Sequence, residues 1–283
     1  MKRSGNEREP LPQTQFEPEM KSLELLCICL FGLPLSSWGD KPIQSKGAGT
    51  DQKPVFVQVQ RGNVVVVGWD RSETASVLRA WPEDFANAEF PQPTASELDQ
   101  SPGKEVVRIQ NQENRVSVRF NPQRSKETLF LWIPEDVNVK ISALGGGSVG
   151  VRGTKGEIEV ESLQGKVLLD QIWGPVVAHA LNEDLWVRFS ALVANKPNYL
   201  SSLNGDVSVV LPKDAEASFE LDFFNGEVDT TIPITLVPGT NLWALDGSTV
   251  FEPSRSAETN RRGTHFRIKN HNGNIIIKDY ETN

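Results

Sequence analysis

The stretch Gly147–Arg188, GSVGVRGTKGEIEVESLQGKVLLDQIWGPVVAHALNEDLWVR, decides the fold. Gly147, Gly156, Gly165 and Gly174 recur every nine residues, and Glu183 falls on the next multiple. Two places after each stand Val149, Ile158, Val167, Val176 and Leu185; four places after stand Val151, Val160, Leu169, Ala178 and Val187. Both columns are apolar over five repeats, as expected of a short strand with two inward side chains followed by a glycine-assisted bend. Nine residues cannot bury an apolar face alone, so neighbouring units must stack to form a common core.

Two strands per turn give 18 residues, close to the 21 that separate two copies of another phrase. Asn204-Gly205-Asp206-Val207 returns as Asn225-Gly226-Glu227-Val228, and a third copy, Asn272-Gly273-Asn274-Ile275, stands near the end. The expected fold is all-β, a β-solenoid or β-roll of stacked short strands. There Asn and Gly tolerate a left-handed bend, and the intervening acid points to solvent. Asn-Gly is also the preferred two-residue hairpin turn, which would make neighbours antiparallel and the fold a β-sandwich.

Outward positions of the same repeat supply a candidate site. Five places after each start come Arg152, Glu161, Asp170, His179 and Arg188, all ionisable. With 18 residues per turn, Arg152, Asp170 and Arg188 share one sheet, beside an apolar line of Gly150, Leu168 and Trp186. Such a surface reads as a solvated face with modest cross-strand pairs. It also reads as a recognition strip of Arg152, Leu168, Asp170, Trp186 and Arg188, because Trp beside charged groups suits sugar or protein binding.

The strand pattern extends to most of the chain. VFVQVQRGNVVVVGWD, KEVVRIQ, NRVSVRF, ETLFLWIP and VNVKIS are strand candidates separated by Pro, Asn or Gly. Residues 71–103 interrupt it: SETASVLRAW suggests a short helix, followed by a long loop. A second irregular stretch covers about 235–263. At the other end, Lys21 precedes an apolar run from Leu23 to Leu35, then Ser37 and Gly39, the order of a secretory signal and too short for an ordinary membrane span. The expected organisation is a start at Met20, with 1–19 an upstream mis-assigned leader, then a signal peptide over 20–39 and a linker over 40–53. One all-β repeat domain follows over 54–283, with an irregular insertion at about 71–103. Cys27 and Cys29 are the only cysteines and lie within the signal, so cleavage after Gly39 leaves neither a disulfide nor a thiolate metal site.

Composition narrows the function classes. The 283 residues carry 29 Lys and Arg against 37 Asp and Glu, a net charge of −8, which disfavours nucleic acid and anionic lipid as general partners. Glu157, Glu159, Glu161, Asp206, Asp222, Glu227 and Asp229 offer carboxylates, but acids alternating along a strand mark a solvated face more often than a glycosidase pair. His179, His265 and His271 have no metal-ligand spacing, and no GxSxG elbow marks a nucleophile. GGGSVGVRG lacks the Lys-Ser/Thr of a phosphate loop. No cofactor, metal or catalytic residue is expected.

Several phrases in this order resemble a bacterial family of unknown function labelled "putative adhesin": RGNVVVVGWD, LFLWIPEDVNVKISALGGGSVGVRG, GEIEVESLQGKVLLD, LNGDVSVVLPKDAEASFEL with NGEVDTTIP, and NHNGNIIIKDY. The resemblance spans about Val55–Asp279 and implies an all-β repeat fold, outside the cytoplasm or attached to its membrane. It brings no agreed activity and no catalytic residues, and the insertion at 71–103 departs from it. The expected function is a binding or scaffold role, adhesin-like, for an exported cell-envelope or surface protein (periplasmic, surface-bound or secreted). Its partner would be an envelope protein or glycan, with no membrane span after signal removal. The alternatives are a carbohydrate-active enzyme on a β-helix, marked by a cleft with close, buried ionisable groups, and an interaction domain in envelope-stress regulation.

Overall fold

The computed structural model describes residues 53–99, 103, 105–124, 126–236, 242–245 and 263–280. The leader, the signal peptide, nearly all of the linker and most of the irregular stretch at 235–263 lie outside the described residues.

The all-β expectation holds: twenty strands form two sheets, with a single short helix, Ala95–Asp99, among the described residues. In chain order they are β1 (Val55–Val59), β2 (Asn63–Trp69), β3 (Ala75–Arg79), β4 (Val107–Asn111), β5 (Val116–Phe120), β6 (Thr128–Pro134), β7 (Val139–Ala143), β8 (Val149–Arg152), β9 (Ile158–Ser162) and β10 (Val167–Ile172). There follow β11 (Val176–Ala180), β12 (Leu185–Phe189), β13 (Asn198–Asn204), β14 (Val207–Pro212), β15 (Ala217–Asn225), β16 (Val228–Thr230), β17 (Ile234–Leu236), β18 (Leu242–Leu245), β19 (Thr264–Asn272) and β20 (Ile275–Tyr280). The larger sheet runs β17-β18-β15-β19-β13-β11-β9-β7-β1-β5-β4, the smaller β16-β20-β14-β12-β10-β8-β2-β6-β3; neither closes into a barrel.

Eight times the chain passes from a strand of the larger sheet straight into one of the smaller, and each such pair is one rung. Rung neighbours pair in parallel. Val167 of β10 lies opposite Val149 and Leu185, and Ile158 of β9 opposite Val176, each 18 residues apart. Alternation puts Val149, Val151, Val160, Val167, Leu169, Val187 and Val209 between the sheets with no exposed surface, and Phe120, Phe189, Phe219 and Phe266 join the same core. Period two within strands and period nine between corners are both satisfied by this one core.

Rung order departs from chain order at both ends. The first rung, β1–β2, sits between β5–β6 and β7–β8. The last, β19–β20, sits between β13–β14 and β15–β16. The outermost larger-sheet strands are then covered by antiparallel partners, β4 on β5 and β18 on β15, which limits exposed sheet edge.

The Asn-Gly phrases stack accordingly, and their role is corrected. Gly273 lies between Gly205 and Gly226, so close that a Cβ at Gly273 or Gly226 would overlap the carbonyl of the rung beneath. The asparagines are not left-handed; Gln171 and Asn195 are the non-glycine residues with positive φ among the described residues. Their amides form a ladder instead. Asn204 Nδ2 donates to Asn182 Oδ1 (3.0 Å), Asn272 Nδ2 to Asn204 Oδ1 (2.8 Å) and Asn225 Nδ2 to Asn272 Oδ1 (2.9 Å). The following acid or amide also bridges rungs: Asp184 Oδ1 accepts from Asp206 N, Asp206 Oδ1 from Asn274 N and Asn274 Oδ1 from Glu227 N. Asp206 therefore ties two rungs together rather than pointing free into solvent.

The insertion is corrected too. Ala75–Arg79, read as a helix, is the edge strand β3, antiparallel to β6. Its alternating Ala75 and Val77 are buried, and β6 needed a partner for its outer backbone groups. The short helix begins instead at Thr94, whose Oγ1 accepts from Glu97 N (3.3 Å) while Glu97 Oε2 accepts from Thr94 N (2.8 Å), a reciprocal capping box.

Candidate binding surface on the smaller sheet

The outward side chains of the smaller sheet form two adjacent rows. One runs Val65, Gly150, Leu168, Trp186, Ser208, Ile276 and Asp229. The other holds Val67, Arg152 and Asp170 at one end and Arg188, Val210 and Lys278 at the other. A bulge at Gln171, with φ 51, shifts the register between Leu169 and Ile172. The structure thus brings Arg152, Leu168, Asp170, Trp186 and Arg188 onto one face.

What covers them was not legible. The insertion folds onto this outer face and builds a second apolar cluster from Val65, Val67, Trp69, Ala75, Val77, Phe85, Phe130 and Trp132, with Trp81, Phe90 and Leu168 packed against it. Phe85 seats its ring on Gly150, where a Cβ would overlap it, and stacks on Trp81 with centroids 5.7 Å apart. Phe130 and Trp132 belong to a strand buried on both faces, which reads as a continuous apolar run.

The charged row ties this layer down. Asp170 is fully buried, with Arg188 Nε donating to its Oδ1 at 2.6 Å and Arg152 Nε 3.3 Å from its Oδ2. The latter contact is an ion pair without hydrogen-bond geometry, since Oδ2 accepts no hydrogen bond. Arg152 Nη1 donates to Ala88 O (2.6 Å), and its guanidinium lies 5.0 Å from the Phe90 centroid. Arg188 Nη2 reaches Ala86 O at 3.5 Å. Two cations sharing one buried anion thus hold the carbonyls of a segment without regular secondary structure.

Beyond the insertion the face opens. Trp186 is half-buried, and the Arg188 guanidinium lies 5.7 Å from its centroid and 6.0 Å from that of Tyr280. Tyr280 is fixed in turn by donation to Phe189 O at 2.8 Å. Sequence reasoning missed Tyr280, Ser208, Ile276 and Lys278 because the spacing changes from 18 to 22 after β12 and the last rung is displaced. Counted from Gly273, however, Ile276 and Lys278 occupy the same two outward places as Leu168 and Asp170.

On the larger sheet, Glu161 and His179 are neighbours, as the spacing required. His179 Nδ1 lies 2.7 Å from Ser201 Oγ. Burial lowers the His179 pKa, opposed by nearby Glu159 and reinforced by Lys140. Glu159 itself is half-buried and paired with Lys140. Ser218 Oγ lies 3.2 Å from His265 Nδ1, and Glu220 Oε2 3.9 Å from His265 Nε2. Ser218 is buried, at 1% exposure. Where the insertion meets β3, an open depression of about 490 Å³ is lined by Arg79, Phe90, Phe130 and Glu97. Within this lining Arg79 and Glu97 are paired, Arg79 Nε and Nη2 donating to the two oxygens of Glu97 at 3.0 Å.

No protein-family model matches the chain, and no curated protein does. A solved structure of a "putative cell adhesion protein" from Clostridium sporogenes is similar to it at 12% identity and a TM-score of 0.42, over 81% of this chain and 93% of that one. Among the described residues, no helix is long and apolar enough to cross a membrane.

Proposed function

We propose that this chain is an exported cell-envelope or surface protein, a β-solenoid that binds or scaffolds without catalysing a reaction. The parallel register, with stacked residues 18 apart through the central rungs, supports the solenoid reading. The order of charge, apolar run and small residues over 21–39 supports export.

One observation carries the binding role: Arg188, held by buried Asp170 and flanked by Trp186 and Tyr280 at the border of the insertion. Aromatic rings with a pre-positioned guanidinium give contact area and directional donors at low entropic cost. The ligand class is an envelope glycan or an envelope protein. The test is titration of the purified mature protein against cell-envelope fragments, beside a Trp186→Ala variant. Loss of a central aromatic contact should weaken binding at least roughly tenfold, about 1.4 kcal/mol or more, while the melting temperature changes little. Arg188 is unsuitable for truncation because it neutralises Asp170. Equal binding by the two proteins overturns the site. Recovery of the protein from the cytosol with residues 20–39 intact overturns export.

A further inference from the structure

The three Asn-Gly corners are chemically alike in sequence but differ in what holds them. An asparagine is lost when the next backbone nitrogen attacks its side-chain Cγ. The new N–C bond closes a five-membered imide, the bond to the amide nitrogen breaks, and ammonia leaves. Water then opens the ring at either carbonyl to give aspartate or isoaspartate, so the net change is water consumed and ammonia released. Glycine in the following position offers no steric resistance, but its nitrogen must be free to turn toward Cγ.

At Asn204 that nitrogen is engaged, Gly205 N donating to Asn272 O at 3.0 Å. The Asn204 amide is also held at both ends, by Asn182 and by Asn272. At Asn272, Gly273 N donates to Asn225 O at 2.9 Å, and the amide is again held at both ends, by Asn204 and Asn225. Asn225 stands on the outermost rung at this end of the stack, β15–β16. Its amide is held only through Nδ2 on Asn272 Oδ1. Among the described residues, neither its Oδ1 nor the Gly226 N–H has a hydrogen-bond partner. The whole corner, Phe223 to Glu227, is exposed.

We propose that Asn225 is a site of spontaneous deamidation, a one-way modification from which the rung order shields Asn204 and Asn272. Isoaspartate there inserts an extra main-chain carbon where the chain turns into β16, and it sets a new carboxylate two residues from Glu227. The product frays the three-residue edge strand and removes the outermost amide of the ladder.

The experiment follows each site by peptide mapping and mass spectrometry during incubation of the folded protein in mildly alkaline buffer, with a parallel incubation in denaturant. Unfolded, the three sites should convert at similar rates. Folded, Asn225 should convert at least roughly tenfold faster than the other two, the factor expected when an engaged backbone hydrogen bond must first open. Comparable folded rates at Asn204 or Asn272 would overturn the proposal. So would an intact Asn225 in the folded protein while the denatured control converts.

Discussion

Removing the Asp170 carboxylate would leave the guanidinium groups of Arg152 and Arg188 facing each other across the outer face with no anion between them. Stripping one member from a buried charge group typically costs about 3–5 kcal/mol, so Asp170→Ala should lower the thermal midpoint sharply. Asp184, paired with Lys166 but 43% exposed at its side chain, provides the contrast. Asp184→Asn should change stability by no more than about 1 kcal/mol in the same melts. A second residue-scale expectation concerns acid. Burial depresses the pKa of His179 and of His265, each partly opposed by a neighbouring glutamate. As pH falls through the ordinary histidine value of about 6.5, the unfolded chain therefore takes up protons that the fold resists, and stability falls with them. Melts between about pH 7.5 and pH 5.5 should show this loss, and His179→Gln should flatten the curve. At this scale the inward residues were fully legible, because alternation fixes them: Val160→Asp would bury an unpaired charge in the shared core and should be severely destabilising in the same melts. Glu159 was not, since its pairing with Lys140 depends on which strand lies beside β9.

For the insertion, the element-scale question is what turns 71–103 from a loop in the sequence into a layer in the structure. Its signal lay in the outward residues of other strands: Phe130, Trp132, Val65 and Val67 are too apolar for a solvated face and needed a cover. The helix expectation at 72–81 failed because pairing with β6 outweighed local propensity, whereas the capping box at Thr94 was present in the sequence and unread. Gly150 is the lever on this element. Gly150→Val leaves the inward face untouched but drives a side chain into the seat of Phe85, an overpacking expected to cost about 1–3 kcal/mol. The insertion should then undock, seen as faster limited proteolysis within 80–99 and a change in Trp81 fluorescence, while the rungs keep their melting transition. Unaltered proteolysis would mean that Phe85 does not anchor the layer.

For the molecule as a whole, the sequence carried the period, the two-strand step and the faces, because these repeat locally. Rung order was not readable, because insertion of β19–β20 between two earlier rungs depends on contacts between residues far apart in the chain, such as Asn225 and Asn272, 47 positions apart. The Asn ladder, the continuation of the outer rows to Ile276 and the isolation of Asn225 all follow from that order. Amide hydrogen exchange tests it most directly. With β20 bonded to β14 on one side and β16 on the other, Ile275–Ile277 should exchange among the slowest amides, and Val228–Thr230, on the sheet edge, among the fast ones. Fast exchange at Ile275–Ile277 together with protection at Val228–Thr230 would mean that the rungs follow chain order, contradicting the stacking on which these features rest.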